Sequence, residues 1–210
     1  MPPLRYTLPI MYSFERCGAP GCGSAALTGH GSCAAHVPDP AACAADLAGR
    51  ITSGDTIKDL NLAGLSFEGL DFGKRHFYGC SFSRASIRNV LFTGAVFRMC
   101  FFDFAVLDSC DFSGSDIQFC SFAGCRISNS SFENSEFVHN NFNGARTREC
   151  TFNFSNLYNS RFIRSEFEST DFVDCNMKKA YFLRTKETDV SFKFSNTQEA
   201  VFDIELEEEP

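Results

Sequence analysis

The sequence predicts an all-β fold in which the chain winds as a solenoid of short extended segments. Three observations predict it: an apolar residue recurs at every fifth position, a small residue stands two places before it, and a turn-forming residue often stands two places after it. A period of five fits neither an amphipathic helix, with its period of 3.6, nor a long strand, with its period of 2. Each repeat is therefore expected to be a short strand followed by a turn.

The apolar column runs from Leu62 to Phe202. Of its 29 sites, 19 are Phe and seven are Leu, Ile or Met; the exceptions are Thr147, Glu187 and Thr197. The slots two places earlier hold seven Cys, seven Ser and six Ala, so both columns are expected to point inward. The carboxylate of Glu187 at an inward position is expected to loosen the last full coil. The turn slots supply residues that tolerate tight turns: Gly69, Gly79, Gly94, Gly114, Asn129, Asn134 and Gly144.

Repeats such as CDFSG (110–114), SEFES (165–169) and TDFVD (170–174) resemble the motif of the pentapeptide-repeat family, and the resemblance covers about residues 57–203. It implies a right-handed, four-sided parallel β-helix of about seven coils, with about 20 residues in each coil. The sequence agrees, because the seven positions from 72 to 192 in steps of 20 are all Phe. The centres that are not Phe concentrate on alternate sides, which requires an even number of sides.

The eleven cysteines form two populations. Seven occupy the small inward slots and are expected to be packed free thiols: Cys80, Cys100, Cys110, Cys120, Cys125, Cys150 and Cys175. The stretch from Cys17 to His36 instead reads C-x4-C-x10-C-x2-H, and three thiolates with one imidazole suit a structural, tetrahedral zinc ion. The sequence therefore predicts a zinc site at Cys17, Cys22, Cys33 and His36. Two ligand substitutes, His30 and Cys43, stay open, as do a cap of buried thiols and a catalytic Cys–His pair.

A short helix is expected over about residues 40–49. Asp39 is placed as its N-cap, Pro40 at its first position and Gly49 after its end. The sequence thus divides into a Cys/His-rich N-terminal cap (1–50), a β-helix (51–203) and an acidic tail (204–210). Leu60, Leu65 and Leu70 fill the usually small slot of the first coil, which indicates a core widened to receive the cap.

Composition and charge restrict the function classes. No run of about 18 apolar residues is present, and the first residues lack the order of a secretory signal, so a cytoplasmic protein without a membrane span is expected. We find no phosphate-binding loop or nucleophile motif and expect no enzyme. The best-studied members of the family imitate DNA and bind DNA gyrase, which the resemblance raises as an alternative here. The net charge of −7 favours it, but residues 57–198 hold 16 basic and 16 acidic residues, and mimicry requires acids along the rod.

The outward positions favour a protein–protein interaction scaffold with an unidentified protein partner and no direct contact with nucleic acid. Arg84, Arg161, Arg164 and Arg184 form a mildly basic side that is too sparse for nucleic-acid binding. On the same side an apolar cluster is expected near the C-terminal coils: Ile163, Tyr181, Leu183 and Val201. Exposed clusters of this kind mark interfaces, and gyrase-binding members of the family dimerise through their C-terminal ends, so a homodimer is expected. The alternative is a C-terminal segment that folds back over the cluster. A second mid-rod cluster, outward or partly inward, is Met99, Phe101, Phe104 and Phe119.

Overall fold

A computed structural model describes residues 14–203, and the predicted acidic tail 204–210 lies outside these residues. The chain forms a helix, α1 (Pro40–Ser53), and then a parallel β-helix of about seven turns. A single-turn 3₁₀ helix, Thr197–Glu199, precedes the last strand. The strands are β1 Thr56–Lys58, β2 Ser66–Glu68, β3 His76–Tyr78, β4 Ser86–Arg88, β5 Val96–Arg98, β6 Val106–Asp108, β7 Asp116–Gln118, β8 Arg126–Ser128, β9 Glu136–Val138, β10 Arg146–Thr151, β11 Glu166–Asp171, β12 Tyr181–Phe182, β13 Lys186–Ser191 and β14 Val201–Phe202.

Strand pairing confirms the coil of 20 residues. Ile57 pairs with Phe77, Phe67 with Ile87 and Phe182 with Phe202, in each case a partner 20 positions later. We number the sides by their inward centres: side 1 carries 57, 77 and onward, side 2 carries 62 and onward, side 3 carries 67 and onward, and side 4 carries 72 and onward. Strands β1, β3, β5, β7 and β9 form side 1, and β2, β4, β6, β8, β10, β11 and β13 form side 3. Strands β12 and β14 belong to side 2.

The interior consists of stacked phenylalanine rings. On side 2 the rings of Phe82 and Phe102 lie 4.8 Å apart and nearly parallel, and those of Phe102 and Phe122 lie 4.7 Å apart. Rings on neighbouring sides meet edge to face, as Phe102 and Phe112 do at 6.1 Å. Since each aromatic side chain buries about 150–250 Å², these ladders are the main source of hydrophobic stabilisation.

The corners two places after the centres from Ile57 to Phe192 have positive φ, including corners with side chains such as Asn129 (φ 50°) and Asn134 (φ 54°). Gly114 adopts the same conformation at φ 67°. The turn slot read from the sequence is therefore a left-handed corner, which glycine and asparagine tolerate best. A side chain at a corner points away from the core.

The helix is longer than predicted, and its predicted end at Gly49 is wrong. Its N-cap is Asp39, whose side chain accepts a hydrogen bond from the Ala42 backbone N–H. It continues through Gly49 to Ser53, and Gly54 forms its C-cap. The continuation buries Ile51 completely beside Leu47, and this burial outweighs the cost of about 1 kcal/mol for a glycine inside a helix. The helix covers the first coil, where Leu65 is buried. Within residues 14–203 no helix combines the length and apolarity that a membrane crossing needs.

The predicted irregular centres differ from one another. Thr147 is buried, and its hydroxyl lies 2.8 Å from that of Thr170. Glu187 is exposed and accepts a hydrogen bond from the Thr185 hydroxyl at 2.8 Å. The expectation that Glu187 occupies an inward position is therefore wrong, because its carboxylate turns to solvent where the last coil has little to pack against.

Candidate metal centre and interaction surfaces

Backbone turns bring the cap ligands together. Cys17 donates its backbone N–H to the carbonyl of Ser24 in the middle of the Cys17–Cys33 loop. Gly18 donates to the carbonyl of Gly31, and this bond holds the two ends of the loop side by side. The backbone N–H of His36 donates to the carbonyl of Cys33 at 2.8 Å, so this turn places the imidazole beside the Cys33 thiol. The C-x2-H spacing thus places two candidate metal-ligating side chains on one turn.

The donor atoms of Cys17, Cys22, Cys33 and His36 all lie within 4.8 Å of one another. His36 Nδ1 lies 3.5 Å from Cys17 Sγ and 3.3 Å from Cys33 Sγ, and the sulfurs of Cys22 and Cys33 are 3.9 Å apart. Around a tetrahedral zinc ion with bonds of about 2.3 Å to sulfur and about 2.0–2.1 Å to nitrogen, those separations would be about 3.5 Å and about 3.8 Å. The four predicted residues therefore form a cluster that fits a metal ion.

The protonation of the cluster also suits a cation. The backbone N–H groups of Cys33 and Ala19 favour the thiolate of Cys17 and lower its pKa to about 6. The Cys33 N–H lies 3.3 Å from this sulfur. Burial raises the pKa of Cys33, so a second thiolate in the cluster calls for a positive charge nearby.

The two substitute ligands, His30 and Cys43, contact each other instead of the cluster. Cys43 Sγ lies 3.4 Å from His30 Nδ1, and His30 Nε2 lies 3.3 Å from a carboxylate oxygen of Asp46. Asp46 also pairs with Arg50 in the next turn of α1. Burial, followed by the charges of Asp39 and Asp46, raises the pKa of Cys43, which disfavours a nucleophilic thiolate. This chain of contacts anchors α1 to the loop that carries His30.

The seven cysteines of the β-helix line the core as free thiols. Cys100 and Cys120 lie in one column, where the Cys100 N–H approaches the Cys120 sulfur at 3.3 Å. Burial raises the pKa of Cys110, Cys150 and Cys175 to about 11. These thiols are therefore protonated spacers at neutral pH.

The predicted C-terminal cluster lies together on side 2. Tyr181 pairs with Val201 across β12 and β14, and Val201 is 40% exposed. Ile163, Tyr181 and Leu183 are half-buried. Arg164 and Arg184 flank the apolar residues and share a cavity of about 460 Å³ with Ile163 and Leu183. The surface is thus an apolar strip with a cationic border.

The mid-rod cluster is mainly outward, which settles the alternative that the sequence left open. Phe104 and Phe119 are 59% and 57% exposed, Met99 is 37% exposed, and Phe101 is half-buried. The Phe119 ring stacks on the His139 ring at 5.0 Å. Both exposed phenylalanines stand at left-handed corners, and so do two that the sequence reading missed, Phe154 and Phe194. Their position two residues after an inward centre is the sequence signal that could have identified them.

Sequence reasoning also missed a groove on side 3. Its cavity of about 510 Å³ is lined by residues of five successive coils, among them Arg126, Arg146, Arg148 and Lys186. The register of 20 residues places these basic side chains next to one another. The count of equal basic and acidic residues over 57–198 does not show that they are adjacent.

Comparison with known proteins gives one family match. The family described as Pentapeptide repeats matches eight copies, over residues 85–118 and 148–182. No curated protein matches the chain.

Three similar solved structures have low sequence identity to the chain. A trypsin-treated form of QnrB1, a plasmid-mediated fluoroquinolone resistance protein, is 16% identical over 70% of this chain and 89% of its own, with a TM-score of 0.43. A pentapeptide repeat protein from the Arabidopsis thaliana thylakoid lumen is 21% identical over 45% of this chain and 66% of its own, with a TM-score of 0.43. HetL, a pentapeptide repeat protein involved in heterocyst differentiation regulation in Nostoc sp. strain PCC 7120, is 11% identical over 75% of this chain and 95% of its own, with a TM-score of 0.33.

Proposed function

Because the chain is a pentapeptide-repeat protein, we propose that it is a non-enzymatic protein–protein interaction scaffold that forms a homodimer through its C-terminal coils. The apolar strip of Ile163, Tyr181, Leu183 and Val201 is the observation that carries this proposal. Apolar side chains at outward positions contribute nothing to the core and favour contact with another surface. Tyrosine and arginine, both present here, are enriched among residues that dominate binding energy.

The dimer is tested by Leu183→Arg, which places a charge in the middle of the strip. Sedimentation velocity should give a dimer for the unmodified chain and a monomer for this variant. The matched control is Leu91→Arg on side 4, where Leu91 is 45% exposed; this variant should remain dimeric. An identical mass for all three proteins would refute the proposed interface.

We further propose that Cys17, Cys22, Cys33 and His36 hold a structural zinc ion. Their spacing as a near-tetrahedron supports this, and four protein donors leave no open position for catalysis. The ion would tie residues of the cap into one unit above the first coil. These residues would then stabilise the N-terminal end of the solenoid, since a solenoid requires capped ends.

Elemental analysis of the purified chain should find about one zinc per chain, and Cys33→Ser should remove it. Cys43→Ser is the control, because this thiol contacts His30 outside the cluster and its loss should leave the metal content unchanged. Metal-free protein with an unaltered melting temperature in Cys33→Ser would overturn the zinc site.

The alternative function is DNA mimicry toward DNA gyrase. It is favoured by the acidic residues of side 4, which outnumber the two lysines of that side: Asp71, Asp111, Glu133, Asp171 and Asp174. Leu91, Phe154 and other uncharged residues interrupt them, so the scaffold is the better-supported function. Protection of gyrase from a quinolone in a supercoiling assay would favour the alternative, and the absence of any effect on supercoiling would exclude it. For either function we propose a cytoplasmic location, because free thiols persist in reducing compartments.

A further inference from the structure

The side 3 groove is elongated along the rod. Its lining residues run from Val106 in β6 to Lys186 and Thr188 in β13. Five successive coils separated by about 4.8 Å give a length of about 19 Å. The inward side chains Ile127, Thr147 and Phe167 lie beneath it. A small anion would occupy only one step of such a groove.

Three arginines lie on the second and third of the five coils that line the groove. Arg126 in β8 pairs in register with Arg146 in β10, and Arg148 follows two residues later on the same strand. All three side chains are exposed. Like charges directly opposite each other in neighbouring strands are destabilising. The fold therefore gains nothing from the Arg126–Arg146 pair.

The acids of the groove neutralise only part of this charge. Glu166 accepts from Arg146 Nε at 3.0 Å and from Lys186 Nζ at 2.8 Å, so its carboxylate is already held by two cations. Arg126 and Arg148 form no ion pair within residues 14–203. Contacts with Lys186 and Arg146 lower the pKa of Glu166. Hydrogen bonds from Asn129 and Ser128, and the charges of Arg88 and Arg148, likewise lower the pKa of Asp108. Carboxylates on this side are thus stabilised in their ionised form.

We propose that the groove binds an acidic, extended segment of a partner protein, with carboxylates placed over Arg126, Arg146 and Arg148. The proposal rests on the scaffold function given above and specifies its partner. About six extended residues, at about 3.3 Å each, span the groove. Charge complementarity favours acidic residues in the part of the segment that lies over these arginines.

The same residues argue against a nucleic acid as the occupant. Glu166 and Glu168 line the groove directly beyond the arginines, and Glu149 stands at the neighbouring corner. A nucleic-acid strand carries a phosphate at every step and would meet these carboxylates, which would repel it. A peptide can place neutral residues opposite them, so the alternation of charge selects a peptide.

Fluorescence anisotropy with the full chain and a labelled acidic peptide of three glutamates followed by three glutamines tests the groove, because the glutamines leave neutral residues opposite Glu166 and Glu168. Saturable binding is expected, it should weaken as salt rises from about 50 to about 200 mM, and a hexaglutamine peptide should not bind. Arg126→Glu should weaken binding at least about tenfold. The same variant should raise the melting temperature, because a carboxylate in place of the Arg126 guanidinium would face Arg146 and turn a like-charge pair into an attractive one. Arg84→Glu, with the same charge change on side 2, should alter binding less than about twofold.

Three results would overturn the proposal: no saturable binding of the acidic peptide, equal weakening by Arg84→Glu and Arg126→Glu, or tighter Arg126-dependent binding of a dodecathymidine strand than of the acidic peptide. The peptide titration is repeated with Leu183→Arg to separate the groove from the dimer. A chain that dimerises without binding the acidic peptide overturns the groove alone. A chain that is monomeric and still binds the peptide overturns the dimer alone.

Discussion

Replacement of Phe122 by alanine should destabilise the β-helix far more than replacement of its near neighbour Phe119 by glycine. Phe122 is fully buried and stacks on Phe102 and Phe142, with ring centroids 4.7 Å away on both sides. Removal of about 150 Å² of buried ring surface at about 25 cal/mol per Å² costs about 4 kcal/mol. The loss of two stacked contacts adds roughly 1 kcal/mol. The expected loss of unfolding free energy is therefore about 4–5 kcal/mol.

Phe119 lies only three residues away but stands at a corner, with φ at 55° and 57% of its surface exposed. Glycine adopts positive φ without strain, which favours the variant by about 1 kcal/mol. Loss of the stack on His139 opposes this by about 0.5–1 kcal/mol. The net change should stay within about 1 kcal/mol of zero.

Urea denaturation followed by far-UV circular dichroism measures both changes; the chain contains no tryptophan, so a fluorescence probe is less suitable. Midpoints are compared at equal slope, because a changed slope would indicate loss of a single cooperative transition. The reasoning is refuted if Phe119→Gly costs as much as Phe122→Ala, or if Phe122→Ala costs less than about 1 kcal/mol.

Three further predictions follow from buried or hydrogen-bonded groups. Burial raises the pKa of Cys110, Cys150 and Cys175 to about 11, so at about pH 8 each thiol is ionised in about one molecule per thousand. Iodoacetamide should therefore leave these cysteines unmodified until urea is added, as measured by peptide mass spectrometry. Labelling in native buffer would contradict this. The side chains of Asn156, Asn176 and Asn196 form a ladder of hydrogen bonds, in which Asn176 donates to Asn156 at 2.9 Å and accepts from Asn196 at 3.3 Å. Asn176→Ala should lower the melting temperature by an amount equivalent to about 1 kcal/mol, whereas the exposed control Gln198→Ala should leave it unchanged. Equal melting temperatures for the two variants would refute a stabilising role of the ladder. Hydrogen bonds from Asn129 and Ser128 lower the pKa of Asp108 in the folded protein. The ionised Asp108 therefore stabilises the fold at pH values above its unfolded pKa of about 3.9, and this stabilisation is lost as pH falls through the lower folded pKa. Asp108→Asn should flatten the fall in melting temperature below about pH 4, and an unchanged pH profile would contradict a lowered pKa of Asp108.

Most of the fold could be predicted because one rule determines the environment of each slot. The centre and the small slot point inward, and residues such as Phe92, Phe112 and Cys100 are fully buried as expected. The rule holds where each coil has a neighbour on both sides. It fails at Glu187 in the last full coil, where a carboxylate can turn to solvent at little cost. The end of α1 was also misplaced, because the burial of Ile51 by the first coil is a tertiary effect that outweighs the local preference of Gly49.

The cluster of Cys17, Cys22, Cys33 and His36 was predicted from residue types and spacing alone. The choice between His36 and His30 depends on loop geometry, since either imidazole lies near the cysteines in sequence. The structure separates them because His30 contacts Cys43 and Asp46 through its two ring nitrogens. The side 3 groove required no loop geometry: Arg126, Arg146 and Arg148 occupy outward slots that the period of 20 places together. The basic residues of side 2 were compared with one another, but those of side 3 entered only the count over residues 57–198, which concealed them.

The exposed corner phenylalanines show how the same period separates folding from binding. Glycine occupies the corner at Gly114 and Gly124, and asparagine at Asn129, each compatible with positive φ. Phe104, Phe119, Phe154 and Phe194 adopt the same conformation against their intrinsic preference and remain more than half exposed. Since they neither fill the core nor relieve the turn, the solenoid does not require them. Residues of this kind are available for contact with other molecules, which agrees with a scaffold whose interior is fixed by repetition and whose specificity lies at outward slots and corners.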